Sequence, residues 1–328
     1  MGSKKELGSR ALIDELSNFL TTPTPNQECI VEFIKNYIDK KEKSISLFFR
    51  GEYATLYYRC RRLLELNYSG HRVEGLFNFN YARFSPDAEK YRNELSNLGV
   101  NFGKSLKNVS VVLDGDGKVE KEALKQILTK YIELIDCWLT HKRKTNISEG
   151  DRQQQLYAVG FGNRKNTYFD IEYREPRETL ISAGYYDYVD GDLEAKKAEY
   201  QKNCGGRFDL LGLRKTEGGY VLQFVEVKTK PNACDDPSGV LDHIRDYTKY
   251  CSYQSLVDKR KSDAVYFVNL LSKILGDDTR LRVEDIIDHE IVFIFTDTSV
   301  RKVEQYRQVL NDNNITIECY DENLNKKE

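Results

Sequence analysis

The stretch RFDLLGLRKTEGGYVLQFVEVKTKP, residues 207–231, decides the fold of the second half of the chain. Two apolar runs, FDLLGLRK and YVLQFVEVKTK, flank the short polar segment TEGG, a pattern typical of two antiparallel strands joined by a tight turn. Three ionisable residues interrupt these runs: Asp209, Glu226 and Lys228. Because charged side chains are seldom buried without a partner, their presence here needs a chemical explanation.

Strand geometry groups the three side chains. Successive residues of a strand point to opposite faces, so Glu226 and Lys228 share one face and Val225 and Val227 the other. Pairing across the turn would bring Asp209 within reach of Glu226. Two carboxylates and an amine on otherwise apolar strands suit a hard, oxygen-seeking cation such as Mg²⁺. The alternative is a solvent-facing strand whose Glu-x-Lys pattern forms an ion pair of little value.

The spacing of Asp209 and Glu226-Val227-Lys228 resembles that of the PD-(D/E)XK nuclease superfamily, the restriction-endonuclease-like fold. Members of that superfamily place the first acid at the start of the second core strand and the acid-x-lysine on the third, with helices flanking the sheet. The resemblance covers residues 190–328. It departs from the family pattern at Phe208, where the family has proline.

The resemblance implies a set of roles. Asp209, Glu226 and the carbonyl of Val227 would hold Mg²⁺, or Mn²⁺, against a phosphodiester oxygen. Lys228 would stabilise the developing charge or orient the attacking water, and electrostatic stabilisation is the preferred role. The family also commonly carries an acid on an upstream helix. Four residues compete for that role, with Glu194 preferred: Glu175, Glu178, Glu194 and Glu199.

The length of 328 residues favours two domains. The polar segment TNISEGDRQQQ, residues 145–155, lacks apolar periodicity and is the predicted boundary. We therefore expect an α+β protein: an N-terminal α+β domain at 1–150 that recognises a substrate or partner, and a nuclease-like domain at 151–328. The latter would be a restriction-endonuclease-like mixed sheet flanked by helices.

Local patterns predict the individual elements. Residues 10–40 and 120–144 have helical periodicity, and aromatic and branched residues predict strands between 44 and 84, with ATLYYRCRRLLELNY (54–68) as one of them. In the second half, QLYAVGFG (155–162) and TYFDIEYREP (167–176) are predicted to form a hairpin. A helix is predicted at 240–261, followed by strands AVYFVNLL (264–271) and IVFIFTD, a helix, and strand ITIECYD.

Composition excludes several classes. The seven cysteines form no CxxC pair and the four histidines no HxxxH spacing, which argues against a disulfide framework, a structural zinc site and a zinc hydrolase. No apolar run reaches the length of a membrane helix, and the N-terminus lacks the apolar core of a secretory signal. We expect a cytoplasmic protein without a membrane partner.

The net charge of −2 provides no basic excess for binding nucleic acid. Basic residues are locally enriched between Lys41 and Arg83, where Arg59 and Arg61 lie among aromatic residues and could hold phosphate; a solvated strand face is equally compatible. His243, beyond the strand that ends in Lys228, could bind phosphate at the mouth of the site. A packed or solvated histidine on a helix face is the alternative and the preferred interpretation.

These observations predict a Mg²⁺-dependent endonuclease that hydrolyses DNA and serves restriction or anti-phage (antiviral) defence. A homodimer is expected because cutting both strands needs two sites, and activity that waits for an unidentified activating partner is compatible with the sequence. Two alternatives remain. One is a catalytically inactive nucleic-acid-binding protein of nuclease-like fold, and the other is a regulatory interaction protein.

Overall fold

The structure is a computed structural model, and the chain forms two compact units, each described by itself. The first comprises residues 1–146 and 270–279, and the second residues 147–269 and 280–328. The described residues are 18, 20–21, 28, 31–32, 45–50, 53–58, 61–69, 72–78, 87–100, 102, 108–114, 119–142, 149–163, 166–202, 205–235, 239–276, 280–321 and 323–327.

The first unit contains a five-stranded antiparallel sheet whose spatial order follows the chain. Phe77 on the fourth strand stacks on Tyr131 of the second helix with ring centroids 4.3 Å apart, which joins sheet and helix through a shared apolar core. The elements are β1 (Ile45–Arg50), β2 (Tyr53–Tyr58), β3 (Arg61–Ser69), β4 (Arg72–Asn78), α1 (Ala88–Asn97), β5 (Asn108–Asp114) and α2 (Lys121–Lys142).

The prediction of a single strand over 54–68 is wrong. Strands β2 and β3 pair antiparallel, with Tyr58 opposite Arg61, so the chain reverses between them. No glycine or asparagine marks this reversal, and the aromatic and branched composition continues across it. The predicted helices of 10–40 lie mostly outside the described residues.

The second unit is built on a six-stranded mixed sheet in the order β11-β10-β9-β8-β7-β6. Strands β6, β7 and β8 are antiparallel, whereas β9 runs parallel to β8, and β10 parallel to β9. Nearly every residue of β8 is buried, as expected for a central strand covered on both faces. The strands are β6 (Asn166–Arg174), β7 (Arg207–Lys215), β8 (Tyr220–Lys228), β9 (Ile286–Thr296), β10 (Thr316–Tyr320) and β11 (Lys326–Lys327).

Helices flank this sheet, which confirms the predicted α+β class. The crossover from β8 to the parallel strand β9 contains two helices, α6 and α7. The described helices are α3 (Glu149–Asn163), α4 (Arg177–Ser182), α5 (Leu193–Lys202), α6 (Val240–Cys251), α7 (Gln254–Leu275) and α8 (Val303–Asp312). No described helix is long and apolar enough to cross a bilayer.

The predicted strand at 264–271 is wrong, because those residues belong to helix α7. Its branched and aromatic residues favour a strand by composition. Their spacing is helical, however: Ala264, Phe267, Leu271 and Ile274 recur every three or four residues and are all buried. Tertiary packing on this stripe outweighs the local preference.

Helix α3 also contradicts the sequence prediction, which divided its residues between a boundary loop and a strand. The helix carries a buried polar run, Arg152, Gln153 and Gln154, where an amphipathic helix would show an apolar stripe. Glycines 160 and 162 further weaken the local helix signal. The apolar periodicity that identifies helices is therefore missing from this one.

An ion pair anchors α3. Arg152, only 1% exposed, donates from Nε to Oδ2 of Asp297 at 2.9 Å, and its Nη2 binds the other carboxylate oxygen. Asp297 begins the short 3-10 helix after β9 and has a φ of 53°, a left-handed conformation that aspartate tolerates better than most residues. Two residues later, Ser299 Oγ donates to the carbonyl of Lys228 at 2.6 Å. The end of β9 thus contacts both α3 and β8.

A second buried network surrounds Glu175, which follows the last residue of β6 in the chain and is fully buried. Its carboxylate accepts a hydrogen bond from Tyr250 Oη at 2.6 Å and lies 3.3 Å from both Arg260 Nε and Lys259 Nζ. Arg260 is itself buried, packs over the ring of Tyr173 and also pairs with an aspartate on its own helix. Removing the acid leaves a buried guanidinium with reduced compensation.

We therefore expect Glu175→Gln to lower the free energy of unfolding by roughly 3 kcal/mol, since the buried cation loses its charged partner without loss of side-chain volume. Urea denaturation measures this. The matched control is Glu304→Gln, which breaks an exposed pair with Arg307 on α8 and should keep the wild-type midpoint. Equal midpoints for both variants would contradict a stabilising role for the network.

Candidate active site at the ends of strands β7 and β8

The register of β7 and β8 brings two acids together. Leu210 pairs with Val225, which is the last backbone pair between the two strands, so Asp209 and Glu226 each lie one residue beyond it. Both acids line one cleft of about 600 Å³ in the second unit.

Asp209 also contacts the backbone of β8. Its Oδ2 accepts a hydrogen bond from the amide of Val227 at 2.7 Å, beyond the last backbone pair between β7 and β8. The amide and carbonyl of one strand residue point to the same side. The carbonyl of Val227 therefore points to the same side of β8 as its amide.

Glu226 is 2% exposed and is held by three neighbours. Lys228 Nζ lies 2.7 Å from its Oε1. Tyr247 Oη donates to Oε2 at 2.7 Å, and His243 Nδ1 lies 3.2 Å from the same oxygen. Tyr247 and His243 both come from α6, so the crossover helix fixes the orientation of the carboxylate.

Lys228 is also buried, at 3% exposure. Burial acts to lower the pKa of its ammonium, but the charge of Glu226, its hydrogen bond and the charge of Asp209 outweigh burial and raise the pKa. The side chain is thus an ammonium with three donors and not a free base. The hydrogen bond from Ser299 to its carbonyl holds the strand end in place.

The carboxyl of Asp209 experiences an excess of negative charge. Burial raises its pKa well above the usual value, and the charges of Glu226 and Glu149 raise it further, whereas the Val227 amide and Lys228 act in the opposite direction. Two neighbouring carboxylates therefore act on Asp209, and Lys228 is the cation that offsets them. Such an arrangement favours a bound cation.

Glu149 was missed by the sequence prediction. It is the first residue of α3 and lines the same cleft as the two strand acids. The prediction assigned its segment to a domain boundary, and the signal that could have located it, helical periodicity, is hidden by the polar run that follows. Several acids precede the β7–β8 hairpin in the sequence, and the position of Glu149 ahead of it does not distinguish this acid from the others.

The preferred candidate for the upstream acid, Glu194, does not lie in the cleft and is corrected. It lies in the first turn of α5, about three-quarters exposed, and pairs with Lys197. The other three candidates are also engaged elsewhere. Glu175 belongs to the buried network, Glu178 pairs with Arg177, and Glu199 accepts a hydrogen bond from Tyr188.

The remaining predicted site residues have different outcomes. His243 lies in the cleft, with a quarter of its side chain exposed, where it contacts Glu226. Arg61 belongs to the first unit, where its guanidinium packs over the ring of Trp138 at 5.0 Å; it does not line this cleft. Arg59 lies outside the described residues.

Phe208, the departure from the family pattern, has a packing role. Its ring lies 4.7–4.9 Å from the rings of Tyr247, Phe224 and Tyr250. This aromatic cluster fills the space behind the acids and supports the strand end that presents Asp209. A proline at this position would remove the ring and its contacts.

The donor set fits a hard divalent cation. Within the described part of the chain, no three His, Cys, Asp or Glu side chains are arranged as a metal site. The cleft instead offers the carboxylates of Asp209 and Glu226. Mg²⁺ is often bound by one or two carboxylates, with water and substrate phosphate completing its shell. Burial raises the pKa of the Asp209 carboxyl and the charges of Glu226 and Glu149 raise it further, and a bound cation would offset both effects.

Comparisons with known proteins leave the chain without an assigned family. No protein-family model matches it, no curated protein matches it, and no solved structure matches it.

Asp209 and Glu226 are expected to differ in their effects on stability. Without metal and near neutral pH, Asp209→Asn should raise the free energy of unfolding by about 1 kcal/mol, a melting temperature rise of roughly 2–4 °C, because it removes a repelled buried charge and keeps the acceptor for Val227. Glu226→Gln should lower the melting temperature, since it leaves the Lys228 ammonium less compensated.

Thermal unfolding in EDTA measures both effects. A loss of stability in Asp209→Asn as large as that in Glu226→Gln would mean that Asp209 is an ordinary structural acid, and would remove the argument for a cation site.

Proposed function

We propose that this protein is a metal-dependent nuclease that hydrolyses phosphodiester bonds, with DNA as the substrate. The observation that carries the proposal is the convergence of Asp209, Glu226 and Lys228 in one cleft, where the neighbouring strands β7 and β8 present them. A solvent-facing Glu–Lys pair on a sheet surface would be exposed, whereas this pair is almost fully buried.

The topology of the second unit supports the same proposal. Asp209 lies at the start of the second strand of the unit in chain order, and Glu226 and Lys228 at the end of the third. This is the placement that the resemblance to the PD-(D/E)XK nucleases implies. Helix α3 precedes the three antiparallel strands and brings Glu149, an upstream helical acid, to the cleft.

The chemistry follows from charge. Asp209, Glu226 and the Val227 carbonyl would hold Mg²⁺ or Mn²⁺, with Glu149 adding negative charge. When bound, the ion supplies neutralisation of the phosphodiester and activation of a water molecule. Lys228, as an ammonium, orients that water or stabilises the charge that develops on the phosphoryl oxygens. Tyr247 and His243 hold Glu226 in orientation.

The biological proposal is broader. Nucleases of this type commonly act in restriction or anti-phage defence, and we propose that role here. Cutting both strands of a duplex requires two such sites, so we further propose that the protein acts as a homodimer.

Cleavage assays test the proposal directly. Wild-type protein should cut plasmid or linear duplex DNA with Mg²⁺ or Mn²⁺, and Glu226→Ala and Lys228→Ala should each lower the rate by roughly 100-fold or more, because each removes a charge that acts on the reacting phosphate. Single-stranded DNA and RNA complete the substrate panel. Glu304→Gln on the exposed face of α8 is the control and should cut at the wild-type rate.

Equal cutting by wild type, Glu226→Ala and Lys228→Ala would assign the activity to a contaminant or to another site. A chain that binds nucleic acid and metal but does not cut would be an inactive binding protein of nuclease-like fold.

Metal binding is expected to stabilise the folded protein, because the cation binds an assembled site that the unfolded chain lacks. At a Mg²⁺ concentration about 100 times Kd, the free energy of unfolding should rise by roughly 2.7 kcal/mol. Differential scanning calorimetry should show this rise for wild type and not for Asp209→Asn. The absence of any metal effect in wild type would favour an interaction protein whose Glu226–Lys228 pair is structural.

A further inference from the structure

Two arginines face each other across strands β6 and β7. Arg174, the last residue of β6, is directly paired with Arg207, the first residue of β7. Both side chains are exposed and both line the cleft. Like charges directly opposite in an antiparallel pair are unfavourable. The pair places two positive charges side by side in the cleft, where an anionic ligand would offset their repulsion.

The arginines line the same cleft as the acids. Arg207 and Asp209 are two residues apart at the start of β7. Arg174 at the end of β6, Arg207 and Asp209 on β7, and Glu226 and Lys228 at the end of β8 therefore come from three neighbouring strands and meet in one cleft.

The two guanidinium groups are suited to an anion. Arg174 stacks over the ring of Tyr200, with its Cζ 4.8 Å from the ring centroid, so its plane is held. Arg207 forms no ion pair with an acid in the part of the chain that the structure describes. A guanidinium presents its donors in a planar fork that matches phosphate oxygens.

We propose that Arg174 and Arg207 form a binding site for a backbone phosphate of a nucleic-acid strand, next to the phosphate that is cut. This inference rests on the proposed function and extends it. Arg207 lies about 6.8 Å along β7 from Asp209, two residues at strand spacing, which is comparable to the separation of neighbouring phosphates in one strand. The substrate is therefore a polynucleotide that continues past the scissile bond, and not an isolated phosphodiester.

Binding measurements separate this site from catalysis. The full-length protein is titrated, with EDTA to prevent cleavage, into short fluorescein-labelled single-stranded DNA, duplex DNA and RNA, and anisotropy is followed over a series of salt concentrations. Arg174→Gln and Arg207→Gln should each weaken binding and reduce the slope of log Kobs against log salt, and the variant with both changes should reduce it by about 0.7–0.9, the share of the one phosphate that the two arginines bind.

The matched control is Arg282→Gln. Arg282 is about three-quarters exposed and lies just before β9. The start of β9 pairs with the start of β8, which is the end of the strand away from the cleft. It should keep the wild-type affinity and slope. Arg207→Lys retains a positive charge and should restore most of the slope. The melting temperature of Arg207→Gln should match or exceed that of wild type, since a like-charge contact is removed.

Wild-type slopes in both glutamine variants would overturn the proposed phosphate site even if the protein cuts DNA. Arginine-dependent binding without any cleavage would support the phosphate site and overturn the nuclease. A wild-type protein that neither binds nor cuts any of the three nucleic acids would overturn both. A fall in melting temperature in Arg207→Gln without a change in binding would identify a structural arginine and would also overturn the site.

Discussion

The organisation of the second unit depends on an acid and an amine buried side by side on its central strand. Glu226 and Lys228 are both almost fully buried, and an isolated charge in such a place would cost several kcal/mol. Each therefore requires the other. The acid also requires donors from outside the strand, and these come from Tyr247 and His243 on α6. The position of α6 is thus tied to the carboxylate of Glu226, which its side chains contact.

The strands of this unit were predictable from the sequence because their composition and burial agree. Strands β6 to β10 are apolar segments, and the proximity of Asp209 to β8 follows from the short turn that joins β7 and β8. The same rules failed at α7, where branched and aromatic residues occupy a helix. Packing between elements, which no local window contains, decided that case.

Helix α3 was unpredictable for a reason connected with function. A helix is identified from sequence by its apolar stripe, and α3 replaces part of that stripe with Arg152, Gln153 and Gln154. Glu149, which α3 brings to the cleft, was missed with it, and exposed Glu194 was preferred instead. Sequence patterns thus identified the residues that the strands present and missed the one presented by a helix attached through polar contacts.

The three residues after β9 carry a consequence for rigidity. Asp297 pairs with Arg152, which lies about one helical turn after Glu149 on α3. Ser299 donates a hydrogen bond to the carbonyl of Lys228. Hydrogen bonds are directional, whereas apolar contacts allow sliding. Apolar packing alone would fix the position of a helix along its axis less firmly. The ion pair between Arg152 and Asp297 sets the position of α3 along its axis against the sheet. Glu149 on α3 and Lys228 on β8 are consequently both positioned by the segment Asp297–Ser299, so the distance between them is held by one short piece of chain.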